Sequence, residues 1–335
     1  MADAVPMVEI RRGRFAESVH RGHAVICDAS GAIRAAWGDP EAVILPRSSC
    51  KMLQALPLVE SGAAAGLGTE QLALACASHQ GADMHVTRVA HWLSEIGLGE
   101  RDLRCGAQVP DDRIERGRLR ETLEAPCQLH NNCSGKHAGF LTLNRHLGGD
   151  SEYVEPDHPV QRAVRAAFEE MTGADSPGFG IDGCAAPNFA TTMRGLAWAM
   201  ARMADPAGLG EARGAAAERL VAAMIAHPLL VAGEGRACSE LMAAAGGSVA
   251  VKTGAEGVFV AIWPEKGLGL ALKIEDGTTR ASECAVAALL TRLGAVKAGD
   301  PRVLRRMTPP IANRRGMVVG EIAPAPGLWE DGAAL

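Results

Sequence analysis

The chain has 335 residues, of which 47% are hydrophobic and 22% are charged, and its formal net charge is −5 at pH 7. These values are ordinary for a soluble globular protein and argue against extended disorder. The negative charge argues against a nucleic-acid partner or a membrane surface, since both require a basic face. No segment reaches the roughly 18 consecutive apolar residues of a membrane-spanning helix.

Cysteine usage and the N-terminal residues bear on the compartment. The nine cysteines are an odd number and contain no C-x-x-C pair. That pattern is typical of buried free thiols in a reducing compartment rather than of a disulfide framework. The N-terminal stretch MADAVPMVEIRRGRF lacks the apolar run of a secretory signal. We therefore expect a cytoplasmic protein.

The first predicted elements are strands, and helices follow them. HAVICDASGAIRAAWG has two apolar runs separated by a turn sequence at residues 28–31, which predicts a hairpin. From Ser48 onward the apolar residues recur at helical spacing. A second helix is predicted through TEQLALACAS with Thr69 as its N-cap, and a third over residues 83–95, ending at Gly97.

Further helices are predicted in the middle of the chain, over residues 159–173, 187–203 and 209–225. After Gly246 the period changes, because SVAVK, GVFVAIW and LGLALKI are short apolar runs separated by glycine-bearing turns. They predict an antiparallel meander, and ASECAVAALLTRL predicts a closing helix.

These elements together predict an α/β fold. Its antiparallel sheet is built from the N- and C-terminal strands and packed by helices, with a largely helical middle at about residues 48–245. We expect one domain over residues 1–335.

A serine precedes a lysine by three positions in LPRSSCKMLQ, at Ser48 and Lys51. On a helix this spacing puts both side chains on one face, with Cβ atoms roughly 5–6 Å apart. A lysine amine there can take the proton of the serine hydroxyl, as in the S-x-x-K motif of serine hydrolases. A surface lysine one turn after an N-capping serine is the structural alternative. Lysine is rare, at six of 34 basic residues, so each lysine merits inspection.

Two other segments match or replace the remaining parts of that motif set. Lys252 begins K-T-G at the end of an apolar run, where a fixed cation can help bind a substrate carboxylate. The middle element S-D-N is absent, and Ser78 stands in Ser-His-Gln-Gly at the end of a predicted helix. A hairpin lysine facing water and a helix cap leading into a turn are the respective structural alternatives.

The segment HNNCSGKHAGF, residues 130–140, contains glycine and lysine but is not a phosphate-binding loop. The required earlier glycine is replaced by His130, and Lys136 is followed by His137 instead of serine or threonine. What remains is Cys133 and Lys136, with Cys184 later in the chain. Two thiolates can share a zinc ion, and buried structural cysteines are the alternative.

Five ordered blocks carry a resemblance to a known family, the rhizobial-type or class 3 L-asparaginases. They are PRSSCKMLQALPL, CASHQG, HNNCSGKHAGFL, DGCAAPNF and VKTGAEGVF, and they cover nearly the whole chain. The family is similar in fold to serine β-lactamases and glutaminases. The resemblance implies a homodimer that hydrolyses L-asparagine to L-aspartate and ammonia.

The resemblance also implies roles for particular residues. Ser48 would be the nucleophile with Lys51 as its base, and Ser78 with Lys252 a second Ser–Lys pair. A zinc ion would be held by Cys133, Lys136 and Cys184, and would aid binding more than bond cleavage. Arg47 and Asp182 would be supporting polar residues.

The implied reaction begins with attack of Ser48 on the side-chain amide and passes through an acyl-enzyme that water hydrolyses. Backbone N–H groups at the helix start would stabilise the oxyanion. Either Ser–Lys pair could make the first attack. The alternatives are a glutaminase, a β-lactamase-like serine hydrolase and a non-catalytic sensor of zinc or an amino acid.

Overall fold

The structure is a computed structural model that describes residues 3–329. The chain forms two compact units. The sheet unit comprises residues 3–49, 191–205 and 240–329, and the helical unit comprises residues 50–190 and 206–239. The prediction of a single domain stays a prediction.

The described residues contain twelve strands. In chain order they are β1 (Val5–Arg12), β2 (Phe15–Asp28), β3 (Ile33–Trp37), β4 (Val43–Ile44), β5 (Phe179–Ile181), β6 (Pro187–Phe189), β7 (Thr191–Thr192), β8 (Ala250–Thr253), β9 (Val258–Trp263), β10 (Leu268–Ile274), β11 (Pro310–Ala312) and β12 (Val318–Pro324).

The described residues also contain thirteen α-helices. They are α1 (Lys51–Glu60), α2 (Thr69–Ala75), α3 (Asp83–Glu95), α4 (Arg113–Glu121), α5 (Ser134–Leu147), α6 (Pro159–Thr172), α7 (Met193–Ala204), α8 (Glu211–Ala226), α9 (Pro228–Val231), α10 (Ala237–Ala244), α11 (Thr279–Arg292), α12 (Pro301–Met307) and α13 (Pro326–Trp329). None of the helices in this part of the chain has both the length and the apolar character needed to cross a bilayer.

The sheet unit is built on one antiparallel sheet. Its strand order is β11-β12-β1-β2-β10-β9-β8, and β3 pairs with β2. The N-terminal strands therefore lie between strands from the C-terminal part of the chain, as predicted. The β2–β3 hairpin and the β8–β10 meander are also confirmed. In the hairpin turn, Asp28 Oδ1 accepts hydrogen bonds from the backbone N–H groups of Ser30 and Ala32.

Helices α7 and α11 pack against this sheet. All six residues of β9 are buried, so both faces of the sheet are covered there. Gly269 of β10 allows α7 to approach closely, since a Cβ at this position would lie 2.1 Å from Ala201 N. The backbone of α7 can therefore lie this close to β10 only because Gly269 has no side chain.

The helical unit is organised around α1, which packs against α5, α6 and α8. Nine of its ten residues are buried, including Lys51 and Gln54. A helix that is buried on all sides belongs in the middle of a domain. A lysine at its first position is therefore held away from water by the fold. The helical middle of the chain is confirmed, because α1 to α10 all lie within residues 51–244.

Several predicted boundaries are confirmed. Helix α3 spans the predicted residues. Helix α6 begins at Pro159 and ends before Gly173, which is left-handed with φ of 75°. Proline at the first position and glycine past the last one are the usual end signals.

Three boundaries differ from the predictions. The N-cap of α2 is Gly68 and not Thr69, because the Gln71 side chain accepts the Gly68 N–H. Ser48 lies in a 3-10 turn before α1 and not in the α-helix itself. The helix predicted from residue 187 begins only at Met193. The preceding residues form β6 and β7, where Phe189 pairs with Phe179 of β5.

We expect Gly269→Ala to lower the free energy of unfolding by about 1–3 kcal/mol or more, because the new methyl group overlaps the α7 backbone. Gly117→Ala is the matched control, since Gly117 lies in α4 and a Cβ there meets no atom within 4 Å. This control should stabilise by about 0.5–1 kcal/mol through helix propensity. Urea unfolding of both variants tests the prediction, and equal stabilities would contradict it.

Candidate active site

Lys51 is the centre of a polar network in the helical unit. Its side chain is 1% exposed, and Nζ donates hydrogen bonds to Ala77 O at 2.5 Å, Ser78 Oγ at 3.1 Å and Cys133 Sγ at 3.1 Å. An ammonium group has three protons, and here each has an acceptor. The fold thus keeps a cation in the interior without an unsatisfied donor.

Ser78 lies in the segment that follows α2, and backbone hydrogen bonds fix this segment on both sides of the serine. Ser78 N donates to Val231 O at 2.9 Å, and His79 N donates to Asn132 O at 3.2 Å. The His79 ring is buried, stacks on His85 with ring centroids 4.7 Å apart, and lies 3.0 Å from Ser134 Oγ. Burial lowers the pKa of His79 well below its usual range, so the ring is neutral and acts as a fixed support.

Helix α5 brings two further sequence-predicted residues to the network. Cys133 is its N-cap and Lys136 lies in its first turn. Gly135 permits close contact with α2, because a Cβ at this position would lie 2.3 Å from Leu74 O. The end of α2, which leads into Ser78, is thereby held against the first turn of α5.

Cys184 completes the cluster from the turn between β5 and β6. Lys136 Nζ lies 3.1 Å from Cys184 Sγ and 5.2 Å from the Phe140 ring centroid. Interaction with Cys133 lowers the pKa of Cys184 well below its usual range, and the same interaction raises the pKa of Cys133. Burial opposes the charge of Lys136, but the negative charge of Cys184 outweighs burial and raises the pKa of Lys136.

Asp182 lies in the same turn, two residues before Cys184. Its Oδ1 accepts the Gly183 N–H at 2.7 Å, and its charge also favours the cationic form of Lys136. Ala185 in this turn has a positive φ of 67°. Asp182 therefore supports the turn and adds negative charge on the Lys136 side of the cluster.

The donor chemistry of this cluster fits the zinc ion that the family resemblance implies. Cys133, Cys184 and Lys136 bring two sulfurs and one nitrogen together, which is compatible with a four-coordinate ion that keeps one open position. Binding would require Lys136 and Cys133 to release their protons. Between residues 3 and 329, no group of three His, Cys, Asp or Glu side chains is arranged to hold a metal, so the lysine is essential to this fit.

The other sequence-predicted residues lie in the sheet unit. Ser48 is half-buried in the 3-10 turn Arg47–Cys50, whose first residue has a positive φ of 53°. Ser49 Oγ donates to Pro46 O at 2.7 Å. A Cβ on Gly254 would lie 2.6 Å from the same carbonyl oxygen. The K-T-G segment and the turn that carries Ser48 therefore lie side by side.

Lys252 is the first residue of K-T-G and lies in β8. It is 1% exposed, and its Nζ donates to Thr253 O at 2.7 Å. The sequence had suggested a hairpin lysine in water as the alternative, and burial contradicts that alternative. The neighbouring Gly254 N donates to Val258 O at 2.7 Å and closes the turn into β9.

The structure distributes the predicted residues between its units. The helical unit brings together Lys51, Ser78, Cys133, Lys136, Asp182 and Cys184. The sheet unit carries Arg47, Ser48 and Lys252. Lys51 contacts Ser78, whereas the family resemblance implies a pair of Ser78 with Lys252.

Sequence reasoning missed the two asparagines before Cys133. Asn131 Nδ2 donates to Cys105 O at 2.8 Å and Gly106 O at 3.0 Å, and its Oδ1 accepts the Cys133 N–H at 2.9 Å. Asn132 Oδ1 accepts the Cys133 thiol at 2.9 Å. The signal available in the sequence was the run of polar residues directly before the cysteine, in HNNC.

One protein family matches most of the chain. Residues 8–324 match the model of a family described as L-asparaginase II. No curated protein matches the chain.

Two solved structures match the chain at low identity. A β-lactamase from Mycobacterium bovis is 14% identical over 78% of this chain and 89% of that one, with a TM-score of 0.41. The native form of a protein called Mglu is 16% identical over 86% of this chain and 68% of that one, with a TM-score of 0.46.

The three hydrogen bonds of Asn131 generate a prediction. Asn131→Asp keeps the shape but turns the donor that faces two carbonyl oxygens into a negatively charged acceptor. We expect a loss of about 1–3 kcal/mol of unfolding free energy. Asn132→Asp is the matched control, since its described contact needs only an acceptor, and it should cost less. Urea unfolding at pH 7 measures both, and the reverse order would show that Asn131 does not support the cluster.

Proposed function

The chain belongs to the L-asparaginase II family, and we propose that it hydrolyses the side-chain amide of L-asparagine to L-aspartate and ammonia. We further propose Ser48 as the nucleophile, Lys51 as the group that moves its proton, and Ser78 and Lys252 as a second Ser–Lys pair. Membership of the family supports an amidohydrolase. The choice of substrate and the residue roles are the proposal.

The buried amine of Lys51 is the observation that carries this proposal. It lies 3.1 Å from Ser78 Oγ, and in the sequence it follows Ser48 by three residues. A lysine amine hydrogen-bonded to a hydroxyl in the interior is the arrangement in which lysine serves as a general base. For that role one contact must reverse, so that a hydroxyl donates to a neutral amine, and the Ser78 hydroxyl can rotate to do so.

The reaction would proceed in two steps. Ser48 Oγ attacks the amide carbon, its proton passes through Lys51 to the nitrogen, and the C–N bond breaks to release ammonia. Water then attacks the resulting ester, and its proton returns to Ser48 as aspartate leaves. The oxyanion of each step needs backbone donors at the turn that carries Ser48. The Ser49 N–H is already bonded to Pro46 O at 3.2 Å and is therefore not one of them.

The supporting residues have distinct tasks in this proposal. Lys252 is a buried cation that favours binding of the substrate carboxylate, and Arg47 adds positive charge next to Ser48. Asp182 holds the turn that carries Cys184. We propose that Cys133, Lys136 and Cys184 hold one zinc ion per chain. When bound, zinc supplies a Lewis acid that can bind and orient a polar group of the substrate.

Two further parts of the proposal concern the setting. The family resemblance implies a homodimer, which sedimentation analysis of purified protein would test. The odd number of cysteines and the absence of a C-x-x-C pair support a reducing compartment such as the cytoplasm.

The role of Ser48 is tested by ammonia release from L-asparagine and L-glutamine side by side. We expect release from asparagine, and a decrease of at least about 1,000-fold in kcat for Ser48→Ala, because removal of a nucleophile abolishes the covalent route. Ser49→Ala is the matched control in the same turn, and it should retain activity because the Ser49 hydroxyl already bonds Pro46 O.

The outcomes separate the alternatives. Preferred release from glutamine would indicate a glutaminase, whose substrate differs by one methylene group worth about 1–3 kcal/mol. Full turnover by Ser48→Ala with loss in Ser78→Ala would make Ser78 the nucleophile. No release from either amide would direct attention to β-lactams and then to a sensor that binds without turnover.

The zinc site is tested by metal analysis of purified protein. We expect about one zinc ion per chain in the wild type, and loss of zinc in Cys184→Ala, because two donors cannot replace three. Cys27→Ala is the control, since Cys27 is a buried cysteine of the sheet unit. Zinc removal should raise KM more than it lowers kcat. Retention of zinc in Cys184→Ala would refute the assignment.

A further inference from the structure

A second group of reactive side chains lies in the helical unit outside the proposed site. Cys127 precedes the 3-10 turn Gln128–His130, and its Sγ lies 3.3 Å from His130 Nδ1. His130 Nε2 lies 3.2 Å from Glu115 Oε1 on α4. Thiol, imidazole and carboxylate thus form a chain in the order of nucleophile, base and orienting group.

The hydrogen bonds around His130 determine where its proton lies. Cys127 N donates to Nδ1 at 3.0 Å, so Nδ1 carries the lone pair and Nε2 carries the hydrogen that is donated to Glu115. Glu115 is a carboxylate, because the hydrogen bonds from Arg118, and then that from His130, lower its pKa. The Cys127 thiol therefore donates to Nδ1 and shares that lone pair with its own backbone N–H.

Cys127 is more exposed to solvent than the other cysteines. All nine cysteines lie in the described part of the chain, and eight of them are buried while Cys127 is half-exposed. A cavity of about 490 Å³ begins at Pro126, the residue before Cys127. Val109, Leu119 and Leu123 form its apolar walls, and Arg116 and Arg120 line it as well.

Charges of both signs lie next to this thiol. Glu124 lines the cavity together with Arg116 and Arg120, and the arginines of α4 outnumber its glutamates. Helix α4, RIERGRLRE, contains four arginines and two glutamates. Arg118 pairs with Glu115 and Glu124. Arg120 has no side-chain hydrogen bond or ion pair with any residue between 3 and 329. An exposed guanidinium group of this kind favours anions that approach the cavity.

We propose that Cys127 is a thiol–disulfide exchange site that reacts with anionic disulfides of low molecular mass. His130 Nδ1 takes the thiol proton, and Cys127 Sγ attacks one sulfur of the disulfide. A new S–S bond forms to Cys127 and the S–S bond of the reagent breaks. His130 then passes its proton to the leaving thiolate or, where that thiolate is a weak base, to water. Cys127 is oxidised and the released half of the disulfide is reduced, so no other oxidant is needed. This inference is independent of asparagine hydrolysis.

The thiol reactivity is measured on the native full-length chain with dithiobis-nitrobenzoate, a dianionic aromatic disulfide whose released thiolate is coloured. We expect one thiol per chain to react rapidly and the other eight only after denaturation. Cys127→Ser should remove the fast phase. His130→Asn, which keeps an acceptor for the Cys127 N–H, should slow it by at least about tenfold. A fast phase that persists in Cys127→Ser would overturn the proposal.

The charge preference is measured on the wild type and does not depend on a variant that folds. Rates with dithiobis-nitrobenzoate and with the dication cystamine are each divided by the rate of the same reagent with mercaptoethanol. We expect the anionic reagent to be favoured by about tenfold at low salt, with a smaller ratio at high salt. Arg120→Gln should reduce the ratio, and Arg162→Gln on α6 should not. Equal normalised rates that do not depend on salt would refute the anionic preference.

Discussion

The polar network of the helical unit depends on the burial of one charged amine. Lys51 is the first residue of the most buried helix of this unit, and moving an ammonium group out of water costs several kcal/mol unless its protons are bonded. Ala77, Ser78 and Cys133 supply the three acceptors. They come from two separate segments of the chain, so satisfying the amine also determines how these segments meet.

Close backbone contacts allow these two segments to pack against each other. Gly135 places the first turn of α5 against Leu74 O, and Gly254 does the same in the sheet unit against Pro46 O. In both cases a methyl group would force apart the segments that carry the candidate functional residues. The glycines of HNNCSGK and VKTG are therefore packing requirements as much as parts of a motif.

Much of this architecture could be predicted from the sequence. Short apolar runs separated by glycine turns predicted the β8–β10 meander, and proline and glycine predicted both ends of α6. The region of Pro187 was misread as a helix, because the strands β6 and β7 are only three and two residues long and depend on pairing with β5 and β4. Pairing of this kind leaves no periodic signal in a short window.

The candidate site, like the fold, could be predicted from the sequence only in part. The spacing of Ser48 and Lys51 and the rarity of lysine drew attention to Lys51, which the structure buries in a polar network. The contact between Lys51 and Ser78 could not be predicted, because the sequence places them 27 residues apart and the family resemblance implies another pairing. Asn131 and Asn132 were missed because their role is to bond backbone and thiol groups, and polar residues before a helix are common for simpler reasons.

Arg47 has a consequence for how this protein can be stabilised. Its left-handed backbone conformation costs a residue with a side chain about 1–2 kcal/mol relative to glycine, so glycine at this position would relax the turn. The chain instead has a residue with a long cationic side chain directly before Ser48. A search for thermostable variants would therefore favour glycine here, whereas the role proposed for Arg47 requires arginine. Selection for heat resistance alone would therefore remove the positive charge that the proposed function assigns to this position.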